Sequence, residues 1–371
     1  PMLESIKGPE DLKTLSPAQL AELTTAQFAS METADFASLS TSGIAGLTKA
    51  VIESMTTAQA AAMTATEIVG FTNTQIQFIE TADLKAILPS NLTGLTTAQT
   101  IALTQNQLRV LTSAQFAVME TADLAAMTGS QIGVLTGTQV GALSSAQINA
   151  LTVTQLSSFS LDGLQSITPA GLSALSTAKI AALSDVQFGN LTTAQVNQLT
   201  TAQIQSLATS SKLSSITGTQ MAALSSAQLV ALTSDQWVAM RKDQINGLTS
   251  AQVYAIETGD LAKLSTTQIA AFKTNISGFN TDQIVALTTT QVSGLDSSQI
   301  QALTSTQLPA METADLVKLT SAQFNALTTW QIQALSTLQL ANLSTDQLAN
   351  MTTDSVQALT TVQISSLASA N

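Results

Sequence analysis

The sequence contains no cysteine and no histidine. Without cysteine the chain can form no disulfide framework, carries no thiol nucleophile and offers no thiolate to a metal. Without histidine it lacks both the commonest general base and the commonest ligand of transition metals. No Ser/His/Asp set, phosphate-binding glycine loop or cleft of paired carboxylates is visible in its place. We therefore expect a protein that is not an enzyme and that holds no cofactor.

Charge is also scarce. Only 10% of the residues are charged, and they give a net charge of −12 at neutral pH, where soluble proteins average about 25% charged residues. The 12 lysines and arginines are scattered along the chain, and only Arg241 and Lys242 are adjacent, so no basic stripe can follow a phosphate backbone, and we expect no nucleic-acid partner. The surface must consist mainly of hydrated but uncharged Thr, Ser, Gln and Asn.

Long apolar runs are missing too. Apolar residues make up 44% of the chain, but they are dispersed, and no run approaches the roughly 18 residues that span a bilayer. The first residues, Pro-Met-Leu-Glu-Ser-Ile-Lys, do not combine a basic segment with an apolar core, so they predict no Sec-type signal peptide. These features predict no membrane insertion.

An eight-residue repeat takes the place of these features. Residues 191–206 are two copies of it, Leu-Thr-Thr-Ala-Gln-Val-Asn-Gln and Leu-Thr-Thr-Ala-Gln-Ile-Gln-Ser. We number the positions of this octad one to eight. Position one is apolar, two is Thr or Ser, three and four are small or polar, five is Gln or Asp, six is apolar, seven varies and eight is usually small.

Each octad contains its own helix-start signal. Thr200 at position two can accept a hydrogen bond from the backbone of Gln203, and the Gln203 side chain can return one to the backbone of Thr200, which is a capping box. Leu199 and Ile204 have the spacing of a hydrophobic staple around it. Because the signal recurs every eight residues, the octads predict an all-α solenoid of very short capped helices, one per repeat.

Two other folds were weighed against this one. On one continuous helix the apolar positions would drift by about 80° per octad, which excludes a coiled coil. In a strand, positions one and six would point to opposite faces. A β-solenoid could correct this with a turn in every octad and remains the alternative, but the chain has only 17 glycines, and its Ala, Leu, Gln and Met favour helix.

The register runs through the whole chain. Octads follow one another from Lys7, a nine-residue unit begins at Leu207, a seven-residue unit begins at Phe272, and octads then continue to Ser366. No linker interrupts them, so we predict one octad-repeat array over residues 1–371. Since two apolar residues per octad cannot stabilise a lone short helix, the units must stack on one another.

Glycine and proline test the helical register. Pro at position three is the first residue of the predicted helix, where its missing N–H does no harm. Gly at position five removes half of the capping box and should weaken the unit. The prolines at position three are Pro9, Pro17 and Pro169, and the glycines at position five are Gly43, Gly163 and Gly171. Pro309, at position seven, fits the helix less easily.

Aromatic residues give a further test. Trp237 at position six is predicted to fill the core, whereas Tyr254 and Trp330 lie outside the core positions and are expected at the surface.

Five octads carry Glu at position two and Asp at position five, and we call them the Glu/Asp octads. One hypothesis makes each pair a set of calcium ligands. The simpler interpretation is that carboxylates in a first helical turn favour the helix dipole and that Asp replaces Gln in the capping box, and two carboxylates are few for calcium. The candidate ligands are Glu32, Asp35, Glu80, Asp83, Glu120, Asp123, Glu257, Asp260, Glu312 and Asp315.

The hydroxyls at positions two and three form a second regular feature. Such rows could match an ice surface or accept O-linked sugars. However, every Thr at position two is already engaged as a helix cap, so the capping role is preferred.

The tract Leu-Thr-Thr-Ala-Gln-(Ile/Val)-x-Ala-Leu resembles the octad tracts of large secreted or surface-exposed proteins of proteobacteria, some of which look like adhesins or RTX-type export substrates. The resemblance implies a structural role outside the cell or on its surface, and export without a Sec signal peptide. The expected function is a structural repeat protein that forms a fibre, sheath or stalk. A spacer or recognition surface of an adhesin is the alternative, and an ice-binding surface is a third.

The expected partner is a second copy of the chain. The last complete octad, residues 359–366, has the same core residues as an internal one, and Leu12 and Leu15 enter the register almost at once. Without polar capping units, head-to-tail stacking would generate a filament, unless the chain is a fragment of a longer array.

Overall fold

The computed structural model describes residues 12–207 and 212–370, with side-chain surroundings given as far as residue 367. Three features of the sequence analysis fall outside the described residues. They are most of the octad that begins at Lys7, the proline Pro9, and residues 208–211 of the nine-residue unit at Leu207. The chain divides into two compact units, residues 1–187 and 188–371, which are described separately. The prediction of a single array over both stays a prediction.

The described residues form short helices and no β-strand, so the all-α prediction is confirmed and the β-solenoid alternative is wrong. In the first unit the helices are Pro17–Leu20, Thr25–Ala29, Thr33–Phe36, Thr41–Ile44, Lys49–Glu53, Thr57–Ala62, Ala65–Gly70, Asn73–Ile76, Thr81–Ala86, Pro89–Leu92, Thr97–Ala102, Gln105–Val110, Ser113–Ala117, Thr121–Ala126, Gly129–Ile132, Gly137–Gly141, Ser145–Ala150, Val153–Ser157, Leu161–Ser166, Pro169–Ser173 and Thr177–Ala182. The helix Asp185–Gly189 contains the boundary.

In the second unit the helices are Thr193–Gln198, Thr201–Gln205, Lys212–Ser215, Gly218–Ala223, Ser226–Val230, Ser234–Val238, Lys242–Asn246, Ser250–Tyr254, Thr258–Leu261, Thr266–Ala271, the 3₁₀ helix Lys273–Gly278, Thr281–Ala286, Thr289–Ser293, Ser297–Ala302, Gln307–Ala310, Thr313–Leu316, Ser321–Phe324, Thr329–Ala334, Thr337–Ala341, Thr345–Ala349, Thr353–Ala358 and Thr361–Ala370. Among the described helices, none has the length and hydrophobicity needed to cross a bilayer.

The capping box explains where each helix begins. At Thr201–Gln205 the cap residue Thr200 is extended, with φ −72° and ψ 157°. Its hydroxyl accepts from the Gln203 N–H at 3.1 Å, and Gln203 Oε1 accepts from the Thr200 N–H at 2.8 Å. Both orphan groups at the helix start are satisfied locally, and the same box recurs along the two units.

The helix ends because the next octad starts. The N–H of the position-one residue bonds back to the position-six carbonyl, as from Leu207 to Ile204 at 3.3 Å, which tightens the last turn. In the octad before, Leu199 is extended, with φ −58° and ψ 138°, and the extended cap Thr200 follows it. Two extended residues in succession turn the chain away from the helix axis, so most helices have only four to six residues.

The core consists of positions one and six, as predicted. Within each unit a helix typically packs against the third helix after it, for example Thr57–Ala62 against Thr81–Ala86. This stacking buries both apolar positions, as at Leu199 and Ile204, which are 3% and 2% exposed. Trp237 lies in the core, whereas Tyr254 and Trp330 are exposed, so these three predictions are confirmed.

Proline and glycine follow the octad register. Pro17 and Pro169 begin their helices, as predicted. Gly43 and Gly163 donate their N–H to the cap hydroxyl but lack the reciprocal side-chain bond, and Gly171 does the same. Around Pro309 the assigned helix starts late, at Gln307.

The seven-residue unit behaves differently from an octad. Residues 273–278 form a 3₁₀ helix that follows directly on the helix Thr266–Ala271. Lys273 has φ 49°, the one positive φ among the described non-glycine residues. Deleting one residue therefore removes the extended pair and the capped helix start from this unit.

A pair of substitutions separates the roles of cap and core. Thr200→Ala removes one cap and should lower the local free energy of unfolding by about 1 kcal/mol. Ile204→Asp places a carboxylate in the core and should cost several times as much. Hydrogen exchange of residues 199–207, followed by mass spectrometry, measures both. Equal protection in the two variants and the wild type would contradict the assigned roles.

Candidate functional site

The position-five glutamine has a second role besides capping. Gln115 is fully buried. Its Oε1 accepts from the Thr112 N–H at 2.8 Å, while its Nε2 donates to the carbonyls of Leu84 and Ile87 at 3.0 and 2.8 Å. These carbonyls lie 31 and 28 residues earlier, at position six of one octad and position one of the next. The side chain therefore joins two successive turns of the solenoid.

This cross-turn bond recurs in both units and forms an amide ladder. The glutamines that donate to carbonyls 27 to 32 residues earlier are Gln59, Gln75, Gln99, Gln107, Gln115, Gln131, Gln139, Gln147, Gln155 and Gln187 in the first unit. In the second unit they are Gln220, Gln228, Gln236, Gln244, Gln252, Gln268, Gln283, Gln291, Gln299, Gln307, Gln323, Gln331, Gln339, Gln347 and Gln363.

The acceptors of the amide ladder are defined by their octad positions and not by a fixed number of residues between donor and acceptor. Gln228, beyond the nine-residue unit, reaches carbonyls 32 and 29 residues back. Gln291, beyond the seven-residue unit, reaches carbonyls 30 and 27 residues back. In both cases the acceptors are again at positions six and one, so a one-residue change in unit length is absorbed without breaking the ladder.

The capping pattern does not reveal this second role of the glutamine, although the sequence contains a signal for it. A capping box works with Glu as well as Gln at its third helical position, yet Glu67 is the only glutamate at position five. Only the amide can accept from the cap and donate across turns at once. The preference for Gln thus marks a donor requirement that capping does not explain.

Other side chains at position five follow the same rule. Asn91 Nδ2 donates to the Met63 carbonyl at 2.7 Å, 28 residues back, and Lys179 donates to the Asn149 carbonyl. Glu67 accepts from Thr64 to complete its capping box, but a carboxylate has no hydrogen to donate across turns. Position five thus determines whether an octad contributes a side-chain donor to the amide ladder.

The Glu/Asp octads depart from the capping interpretation. Their Glu residues are N-caps without a side-chain cap bond, and their Asp residues complete no capping box. The prediction that Asp replaces Gln in the box is therefore wrong. Asp is one methylene shorter than Gln, and Glu is longer than the Ser or Thr that caps best. The five glutamates at position two, Glu32, Glu80, Glu120, Glu257 and Glu312, are all exposed.

The aspartates of these octads lie in different surroundings. Asp83, Asp123, Asp260 and Asp315 are buried, and Asp35 is half-buried. Asp123 Oδ1 accepts from the Thr97 hydroxyl of an earlier turn at 2.6 Å, and Asp260 accepts from Ser234 in the same way. Burial, reinforced by the neighbouring Glu80, raises the pKa of Asp83 to about 6.

The five pairs stay separate in the structure. Among the described residues, no three acidic side chains come together in a way that could hold a metal ion. Each Glu/Asp octad therefore offers at most two carboxylates to a cation, and further ligands would have to come from backbone carbonyls.

The capped helices and the amide ladder define the chain as a repeat protein. Its sequence matches the ALTTAQ repeat at residues 8–41, 28–73, 116–153, 213–250, 253–289, 276–311 and 308–345. These matches cover more than half of the chain, which belongs to the ALTTAQ repeat family. No curated protein matches it.

The amide ladder can be tested at Gln115. Gln115→Glu keeps the acceptor for Thr112 but removes both donors and faces two carbonyls with a buried carboxylate, so it should cost about 2–4 kcal/mol. The matched control is Gln27→Glu. Gln27 is exposed and makes the same capping box, with no cross-turn bond among the described residues. Guanidinium denaturation measures the free energy of unfolding of both variants. An equal loss of that free energy in the two variants would contradict the ladder.

The raised pKa of Asp83 predicts a pH effect. Since the folded-state pKa of about 6 exceeds the ordinary value of 3.8, the folded chain binds the proton more tightly than the unfolded chain. Stability should fall as pH rises from about 4 to 6 and stay lower above that range. Asp83→Asn should remove this part of the pH dependence. Melting temperatures in EDTA from about pH 4 to pH 7 measure it, and parallel curves for the two proteins would contradict it.

Proposed function

We propose that this chain is a non-catalytic, extracellular structural protein whose turns associate with those of other copies to form a fibre, sheath or stalk. The proposed location rests on the resemblance to secreted and surface-exposed octad proteins. The architectural part of the proposal rests on the amide ladder.

The ladder supports self-association because it is self-complementary. One edge of a turn offers amide donors, as at Gln115, and the opposite edge offers carbonyl acceptors, as at Leu84 and Ile87. Any turn of the repeat carries both sets. A turn of a second copy can therefore use the same bonds, and a contact of this head-to-tail kind extends without closing.

Burial within the chain shows what each turn requires of its neighbour. Leu348, Val356 and Ile364 occupy position six in octads that no later described turn covers, and they are 37%, 50% and 51% exposed. Internal residues at this position, such as Ile332, are buried. Each turn thus depends on the next one to cover its apolar side chains, and a turn from another copy would do this equally well.

The surface chemistry favours close association. Because only 10% of the residues are charged, few charges have to lose their water where copies meet, and salt screens the repulsion between the net charges of −12. The alternative function, a spacer within an adhesin, uses the same ladder for stiffness along one chain and does not require contact between chains. The proposed ice-binding surface is less favoured, because the position-two hydroxyls are committed to helix caps.

Light scattering across a concentration series, with electron microscopy of the same samples, tests the proposal. We expect the mass to rise with concentration and filaments to form. Val356→Asp combined with Ile364→Asp should lower the association. Val362→Asp is the matched control, since Val362 is 70% exposed at position four, outside the core. A mass of one chain at all concentrations would contradict self-association and favour the spacer.

A further inference from the structure

Asp83 is one of the buried position-five residues that contribute no donor to the amide ladder. It is 3% exposed, and its Oδ2 is buried without a hydrogen-bond partner. Asp123 and Asp260 occupy the same octad position but accept a bond from a hydroxyl of an earlier turn. Asp83 is thus the buried carboxylate of this set that has an unsatisfied oxygen.

The register of the ladder fixes what Asp83 faces. In the octad before it, Gln75 donates to the carbonyls of Ile44 and Leu47 at 3.1 and 2.8 Å, 31 and 28 residues back. In the octad after it, Asn91 donates to the Met63 carbonyl, again 28 residues back. The same spacing predicts that Asp83 lies opposite the carbonyls of Ile52 and Met55.

Helix packing agrees with this register. The helix Thr81–Ala86, which carries Asp83, packs on the helix Thr57–Ala62 of the earlier turn. Ile52 and Met55 lie just before that helix in the chain. Acceptor oxygens would therefore face one another where flanking octads pair an amide N–H with a carbonyl, and either a proton on the Asp83 carboxyl or a cation between the oxygens would relieve the mismatch.

A second carboxylate lies beside this position. Glu80 is the N-cap of the same helix, makes no side-chain cap bond and is exposed. After burial, the charge of Glu80 is the second cause of the raised pKa of Asp83. Together, Asp83 and Glu80 supply two negative charges, and the carbonyls supply neutral oxygen ligands.

We propose that a calcium ion binds between these two turns, held by the carboxylates of Asp83 and Glu80 and the carbonyl oxygens of Ile52 and Met55. The inference goes beyond the proposed structural function and does not depend on self-association. Calcium takes six to eight oxygen ligands in flexible geometry and accepts carboxylates, carbonyls and water together. Magnesium requires a near-ideal octahedron and gives up its water reluctantly, so this mixed set favours calcium.

The ion would take the place of the cross-turn amide hydrogen bonds that are absent at Asp83. In a glutamine octad the amide joins the turns by donating to two carbonyls, whereas here the cation would join them by accepting electron pairs from the same two positions. The link would then depend on calcium, so that one joint of the first unit becomes sensitive to the concentration of the ion.

Isothermal titration of the full chain with calcium chloride, after removal of metal with a chelator, tests the site. We expect saturable binding and a higher melting temperature in calcium than in EDTA, with a smaller response to magnesium. Asp83→Asn should weaken the binding at this site at least tenfold, and Glu80→Gln should weaken it less. Absence of calcium binding by the wild type would overturn the proposal.

Asp83→Gln keeps the test decisive if the Asn variant folds poorly. It restores the amide donor, so it should raise the melting temperature in EDTA and abolish the calcium response. The matched control is Asp123→Asn, at an aspartate already paired with Thr97, and this variant should keep the response. An unchanged calcium response in Asp83→Gln, or its loss in Asp123→Asn alone, would overturn the assignment.

Discussion

The cross-turn amide hydrogen bond is the interaction on which the stacking of short helices depends. An isolated helix of four to six residues is far below the length that is stable in water. Here Gln115 ties the start of its own helix to two carbonyls of the earlier turn, and the buried amide is satisfied at both ends. An unpaired amide in the core would cost about 1–3 kcal/mol, so each buried glutamine also specifies one stacking register.

Apolar packing alone would specify that register less strictly. Leu, Ile, Val, Met and Phe exchange freely at positions one and six, and side chains of similar size can slide past one another at small cost. The amide finds its acceptors only at the end of an earlier helix, among the carbonyls of positions six, seven and one. This explains why the cross-turn amide bonds continue after the nine-residue and seven-residue repeats. There the number of residues between donor and acceptor changes by one. Hydrophobic burial supplies most of the stability, and the amides determine which turns meet.

Local features could be predicted from the sequence because their partners are close in the chain. The capping box joins residues three apart, so Thr200 and Gln203 revealed the helix start, and Pro17 and Pro169 confirmed its phase. The cross-turn bonds could not be predicted in this way. Their partners lie about three and a half octads away, and an octad repeat looks the same at every multiple of eight residues.

The structure of the Glu/Asp octads and of the seven-residue unit could not be predicted either. The Glu/Asp octads have the acidic residues that are typical of a helix start. Whether the capping box forms depends on the length of the Asp side chain, which a pattern of residue types does not describe. At the seven-residue unit, the sequence shows a deletion but not how the backbone responds. The positive φ of Lys273 and the 3₁₀ helix that begins there replace the extended pair of an ordinary octad.

Position five therefore determines the bonding between turns in a way that the other octad positions do not. Gln, Asn and Lys donate to carbonyls of the turn before, Gly removes this bond without adding charge, and an ionised Asp can only accept, as Asp123 does from Thr97. A stack built only from glutamine octads would be uniformly linked along its length. Here the first unit contains both kinds of joint, since Gln75 is linked across turns whereas Asp83 in the following octad is not. Because stability in repeat proteins is close to a sum of units and nearest-neighbour contacts, such substitutions locate the weakest joints. An array of nearly identical repeats can in this way hold joints of different strength without any change in its fold.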